Sequence, residues 1–374
     1  MNDINIQNNF ITPSFIFDSN PSCFIPRAVM LNNTRNLIKY DFYMNKIEEY
    51  KKVIYKDIFK NNIEIEENKE NLNYIFVAYF IYWKKESSFD YLSYDSMRIL
   101  LDIIMFENQI SLSKIKYFYK KVHEKEYKIH KKNDKYDWNN TLRYYIIFYS
   151  PFKYYYENIN MEANNLLELL YLTNVNKGRS NYININIPEN KTQQKIIPTL
   201  SNLLKNGIKV KLKQKKTFTD IEYDEKTSTI KLPQIYVYHY RSEIVFKNLL
   251  AYEISKRYKY HPIRDYVLFM DYIIDTEEDV QILIDEKIII NKMGNNKSVA
   301  NLFNNLSKGF STEINENIFN IMENINIRYN NKIYNLKSIF INTYFDDYIK
   351  SSVSIVAFMI VICTILQTIF TIIK

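Results

Sequence analysis

The sequence predicts a mainly α-helical body carrying a small antiparallel β ribbon, followed by one C-terminal transmembrane helix. Three observations predict it. Apolar residues recur at mixed three- and four-residue spacing through most of the chain; between Ile208 and Leu232 that spacing gives way to alternation; and the 23 residues from Ser351 to Ile373 contain no charge. The expected divisions are an irregular N-terminal segment 1–22, a helical body 23–349 with the ribbon at about 208–232, and a membrane span within 351–373.

Asp41 to Lys60, Leu72 to Lys85, Tyr94 to Val122, Asn140 to Tyr149 and Ala163 to Tyr171 have the helical spacing, which gathers their apolar residues into one stripe able to face a core. Lys125 to Asp137 is too charged to pack and is expected to be a loop. Asn174 to Gln194 contains Gly178, Pro188 and several Asn, and reads as a linker.

In the next stretch Ile208, Val210 and Leu212 alternate with lysines, and Phe218 to Tyr223 and Thr227 to Leu232 are two further short β-like runs. Asp224, Glu225 and Lys226 suit a turn between those runs, and Pro233 closes them. Helical spacing then resumes over Glu243 to Glu253, Asp265 to Ile274, Glu277 to Asn291, Val299 to Leu306 and Asn315 to Tyr329.

At the C-terminus, Lys350 and Lys374 flank the uncharged stretch, and 13 of the residues from Val353 to Ile373 are Val, Ile, Leu or Phe. As a helix it would reach about 34 Å at ~1.5 Å per residue, enough for a hydrocarbon core of ~30 Å. With no secretory signal evident at the N-terminus, the expectation is a single-pass, tail-anchored protein whose body faces the cytosol. Arg328, Lys332, Lys337 and Lys350 before the span agree with that orientation.

Composition excludes more than it assigns. With 47% hydrophobic and 25% charged residues the body is globular in character. The 34 Tyr and the formal charge of +8 could suggest nucleic acid, but the lysines are interleaved with acids, as in Glu64 to Glu70, which describes a solvated surface. Scarce Gly and abundant Asn, Ile, Lys and Tyr are what A+T-rich coding produces.

Catalytic signatures are missing from the sequence. The four glycines build no phosphate-cradling loop. His123, His130, His239 and His261 have no metal-ligand spacing, and Cys23 and Cys363 are too far apart in sequence to suggest a zinc site or a disulfide. His123 and His130, among lysines, are expected at the surface. No cofactor, metal or catalytic residue is expected. Glu107, Asn108 and Gln109, directly after the apolar run Ile99 to Phe106, admit two readings: a binding site, or a buried hydrogen-bonded cluster locking helices together. The second is expected.

Those residues also carry a resemblance. LLDIIMFENQI (Leu100 to Ile110) resembles the ENQI-centred signature of the plant family called domain of unknown function 247. FKNLLAYE (Phe246 to Glu253) is similar to that family's F-R-N-L-I-A-F-E, and Tyr266 to Ile289 to its block containing F-M-D and T-x-E-D-V. MGNNKSVANLFN (Met293 to Asn304) and ILQTIF (Ile365 to Phe370) resemble its later segments. The chain departs where Ser111 replaces the family's usual proline and where a G-P-Y-H-H-G loop between Asn32 and Met44 is missing. The resemblance implies a helical body with a C-terminal span and no known catalytic residue. The expected role is an interaction or recognition module with a protein partner of unknown identity, the bilayer as a second partner, and no nucleic acid. The alternatives are an enzyme without a recognisable motif and a degenerate family copy.

Overall fold

A computed structural model of the chain describes residues 18, 20, 23–24, 31, 42–59, 67–84, 94–130, 137–152, 163–175, 182–183, 197–214, 217–256, 261–308, 314–331 and 348–373. Most of the expected segment 1–22, and of the linker 174–194, lies outside the described residues.

Helices come first along the chain: α1 (Phe42–Phe59), α2 (Lys69–Lys84), α3 (Tyr94–Ile104), α4 (Leu112–His130), α5 (Trp138–Tyr149) and α6 (Leu166–Asn174). Tyr94 to Val122 is not the continuous helix that its periodicity suggested. It breaks after Ile104 into a single 3₁₀ turn, Phe106–Asn108, and restarts at Leu112. The break follows from Asn108 and Gln109, whose side chains compete for backbone carbonyls that a continuous helix would use itself. In the other direction, α4 runs on to His130, into the charged stretch expected to be a loop.

The helical stripes bury as their spacing implies. Ile75, Val77, Ala78 and Ile81 of α2 are fully buried, as are Ile115, Tyr119 and Val122 of α4, and these two helices pack along each other. Each such aliphatic side chain removed from water contributes roughly 1.5–3 kcal/mol. His123 is buried with them, its ring edge-on to Tyr82 at 5.9 Å, so the surface position expected for it is corrected. Lysines 120 and 121 and Glu124 gave the segment its polar look, but a helix has several faces, and His123 shares that of Tyr119.

The β segments differ from the antiparallel ribbon expected at 208–232. After β1 (Tyr182–Ile183) and α7 (Leu200–Lys205) come β2 (Lys209–Lys213), β3 (Glu222–Asp224) and β4 (Thr229–Pro233), in the order β2–β4–β3. β3 and β4 form the antiparallel hairpin, but β2 lies on the far edge of β4 and runs parallel to it, with Val210 opposite Ile230. The turn 225–228 reverses the chain once. The chain also reverses between β2 and β3, which run in opposite directions, so β2 and β4 point the same way.

β5 (Ile235–Tyr238), α8 (Arg241–Ser255), α9 (Pro262–Ile273), α10 (Glu277–Asp285) and β6 (Ile289–Lys292) follow. β5 and β6 pair in parallel with the three helices as their crossover. The helix expected over Glu277 to Asn291 therefore ends at Asp285, where the β-branched run Ile288 to Ile290 favours strand. α11 (Asn296–Leu306), β7 (Ile314–Asn315), antiparallel to β1, and α12 (Glu316–Asn330) complete the body.

The last helix, α13, spans Tyr348–Ile373 and includes Val353 and Ile373. Here the transmembrane expectation is corrected: among the described residues, no helix is long and apolar enough to cross a membrane. The single-pass, tail-anchored placement and the cytosol-facing body that rested on the span lose their basis with it.

Candidate functional site

A cleft of about 640 Å³ opens between α3, the start of α8, and α11. Helical spacing builds two of its walls. Arg98, Leu101, Asp102 and Met105 lie at successive turns along α3 and the residue after it, and Ser298, Asn301, Leu302 and Asn305 repeat the same spacing on α11. The turn after β5 and the first turn of α8 supply His239, Tyr240, Glu243 and Ile244; Asn20, Cys23 and Met293 close the rest. The lining is thus an apolar floor with a few charged and amide groups, and its volume lies within the roughly 300–1,000 Å³ of small-ligand sites.

Glu243 is the best-defined polar group. Its Oε1 accepts a hydrogen bond from Asn20 Nδ2 at 2.8 Å and lies 3.8 Å from Lys247 Nζ. Burial lowers the proton affinity of Lys247, with the charges near Cys23 and Glu243 opposing it. At the rim, the ring of Tyr240 is edge-on to His239 at 4.1 Å and is 70% exposed.

Asn108 and Gln109 lie behind this cleft. Asn108 Nδ2 donates to the Asp102 carbonyl at 2.9 Å, and its Oδ1 accepts from Leu31 N at 2.6 Å. Gln109 Nε2 donates to the carbonyls of Ile103 at 2.9 Å and Met105 at 2.7 Å, while its Oε1 accepts from Leu167 N at 3.1 Å. Both side chains therefore fix the backbone that presents Asp102 and Met105. Glu107 lies in the 3₁₀ turn, and its side chain falls outside the described residues.

Asn248 is a residue that sequence reasoning passed over. Fully buried in α8, it accepts from Phe106 N at 2.5 Å and donates to the carbonyls of Cys23 at 2.9 Å and Ile244 at 2.7 Å. One amide thus ties the residues after α3, Cys23 of the cleft wall and α8 together. The signal was available: a lone Asn among the apolar positions of FKNLLAYE must find partners when buried.

The groups with the most displaced proton affinity lie elsewhere. Burial pushes Glu253 up to about 8, against hydrogen bonds from the backbone of Arg264 and Ile263 and from the Tyr171 hydroxyl. It pushes Asp265 up to about 7, with Arg264 opposing, and His261 down to about 4, with Arg264 adding to the effect. Arg264 Nη2 stands 3.5 Å from Asp265 Oδ1, an ion pair between two buried side chains. Burial also lowers the proton affinity of Lys51, whose Nζ donates to Asn73 Oδ1 at 2.7 Å in α2. None of these residues lines the cleft. Among the described residues, no group of His, Cys, Asp and Glu side chains could hold a metal ion.

The sequence model of DUF247, described as a plant protein of unknown function, matches residues 32–363. The chain is 27% identical to the UPF0481 protein At3g47200 of Arabidopsis thaliana over 233 residues, 58% of this chain and 48% of that protein. It is 28% identical to the putative UPF0481 protein At3g02645 of the same plant over 112 residues, 30% of this chain and 21% of that protein. The match thus spans less than half the length of either relative. No solved structure matches.

Proposed function

The chain belongs to the DUF247 family of plant proteins of unknown function, and from that premise we propose that its body is a recognition module that binds a partner in the cleft between α3, α8 and α11 without transforming it. The observation that carries this reading is the separation of two features that enzymes combine. A catalytic cleft concentrates groups of displaced pKa where substrate can reach them. Here the cleft holds an apolar floor with amide and charged groups, whereas Glu253, Asp265 and His261 are withdrawn into the body. The buried amides of Asn108, Gln109 and Asn248 support the reading further, since they hold the walls rigid and a rigid site loses less entropy on binding.

The test is affinity capture from plant tissue with the intact protein and with Asn301→Trp, which fills the cleft from α11. Bound proteins are read by proteomics and bound small molecules by native mass spectrometry. The expected result is a set of molecules retained by the native protein and lost with the variant. An unchanged set would overturn the cleft as the recognition site, and conversion of a captured molecule over time would overturn the absence of chemistry.

A further inference from the structure

Resting on the reading of this cleft as the recognition site, we propose that its occupant is an apolar body carrying one positive charge, an ammonium or guanidinium on an aliphatic or aromatic stem. The Asp, Glu, Lys and Arg residues lining the cleft are the carboxylates Asp102 and Glu243 and the guanidinium Arg98, two acidic groups against one basic. Arg98 and Asp102 stand one turn apart on the same face of α3, the spacing at which opposite charges offset each other.

Glu243 is differently placed. Both its contacts, Asn20 and Lys247, are made through Oε1, and among the described residues Oε2 accepts no hydrogen bond. Lys247 reaches it at the long end of an ion pair and is itself only 4% exposed, behind the cleft wall. Three residues before Glu243 the exposed ring of Tyr240 also lines the cleft. A carboxylate with an open oxygen beside an exposed aromatic face is the composition that binds organic cations. An anionic occupant fits poorly, because Glu243 in the first turn of α8 already complements that helix's positive end. Leu101, Met105, Ile244, Met293 and Leu302 supply the surface for the apolar body, with the methionines adapting to its shape.

The experiment titrates the full chain at pH 7 with 3-phenylpropylamine, 3-phenylpropanol and 3-phenylpropionate, similar in shape and different in charge. A second arm compares the blocked peptides Leu-Arg-Leu and Leu-Gln-Leu, which separates a free amine from the side chain of a partner protein. In at least one arm the cation should bind about tenfold tighter than its neutral counterpart. Glu243→Gln, which keeps an oxygen for Asn20, should remove that preference. Ser298→Lys, which places a competing charge on the opposite wall without touching α8, should do the same. Equal binding of charged and neutral members in both arms would overturn the cation preference while leaving the cleft as a recognition site. No binding by any member would overturn both.

Discussion

Glu253 caps a helix that is not its own: from α8 its Oε2 accepts the backbone N–H of Arg264 at 3.0 Å, and its Oε1 accepts that of Ile263, also at 3.0 Å, in the first turn of α9. The Tyr171 hydroxyl donates to the same carboxyl at 3.2 Å. Capping favours the ionised form, but complete burial outweighs it, and the proton affinity rises.

A pH dependence of stability follows. Because the pKa of Glu253 is about 8 in the folded chain against an ordinary 4.5, the folded state binds the proton more tightly than the unfolded state. Unfolding therefore releases protons between those values, and stability falls as pH rises from about 4.5 to about 8. Asp265, raised to about 7 from 3.8, adds a decline of the same sign over its own window. Urea unfolding across this range should show the midpoint decreasing, and Glu253→Gln should flatten the upper part of the profile. A midpoint that rises through the range would contradict the assignment.

Asp279 should act in the opposite direction at low pH. Burial alone would raise its pKa, but the backbone N–H groups of Ser201, Thr276 and Asp275 donate to it and hold it below the ordinary carboxylate value. Its contribution is present above the unfolded pKa and is lost as pH falls through the folded one. Asp279→Asn should cost about 1–3 kcal/mol at neutral pH, since one amide oxygen cannot serve all three donors. The difference from the native protein, measured by chemical unfolding, should shrink below pH 4.

Asn108→Ala and Gln109→Ala should each destabilise the chain by about 1–3 kcal/mol, because Leu31 N and the Asp102 carbonyl in one case, and Leu167 N with two carbonyls in the other, lose buried partners. The double variant should also loosen the cleft wall at Asp102 and Met105. Faster amide exchange there than in α12 is the readout that separates local loosening from global destabilisation.

Lys287 occupies the left-handed region, φ 59°, at the end of α10, where the N–H of Ile288 bonds to the carbonyl of Leu283. α7 ends in the same way with Gly207 at φ 78°, the N–H of Ile208 bonding to the carbonyl of Leu203. The side chain of lysine strains that conformation by about 1 kcal/mol and glycine does not. Lys287→Gly should raise the melting temperature, and Gly207→Ala should lower it.

What could be read from the sequence was what neighbours within a turn or two decide. Apolar spacing located α1, α2, α5, α8, α9, α11 and α12 to within a few residues, because each stripe is written in the segment that carries it. The β-like runs at 208–232 were also visible, while their pairing was not: parallel β2 and β4 depend on a bend outside both strands. β5 and β6 were missed because strands of four residues have little periodicity, and their partners lie more than 50 residues apart.

By itself, the sequence determined the positions of most helices, the turn at Asp224 to Lys226, and that an amide cluster follows the apolar run ending at Phe106. Tertiary structure decided the rest. It buried His123 against Tyr82 and joined Asn248 to Phe106 across 142 residues. It also set α3, α8 and α11 around one cleft. The physical reason is range: helix and turn preferences act between residues up to four apart, whereas a cleft exists only where separate elements meet, and which elements meet is set by the burial of the whole apolar surface at once.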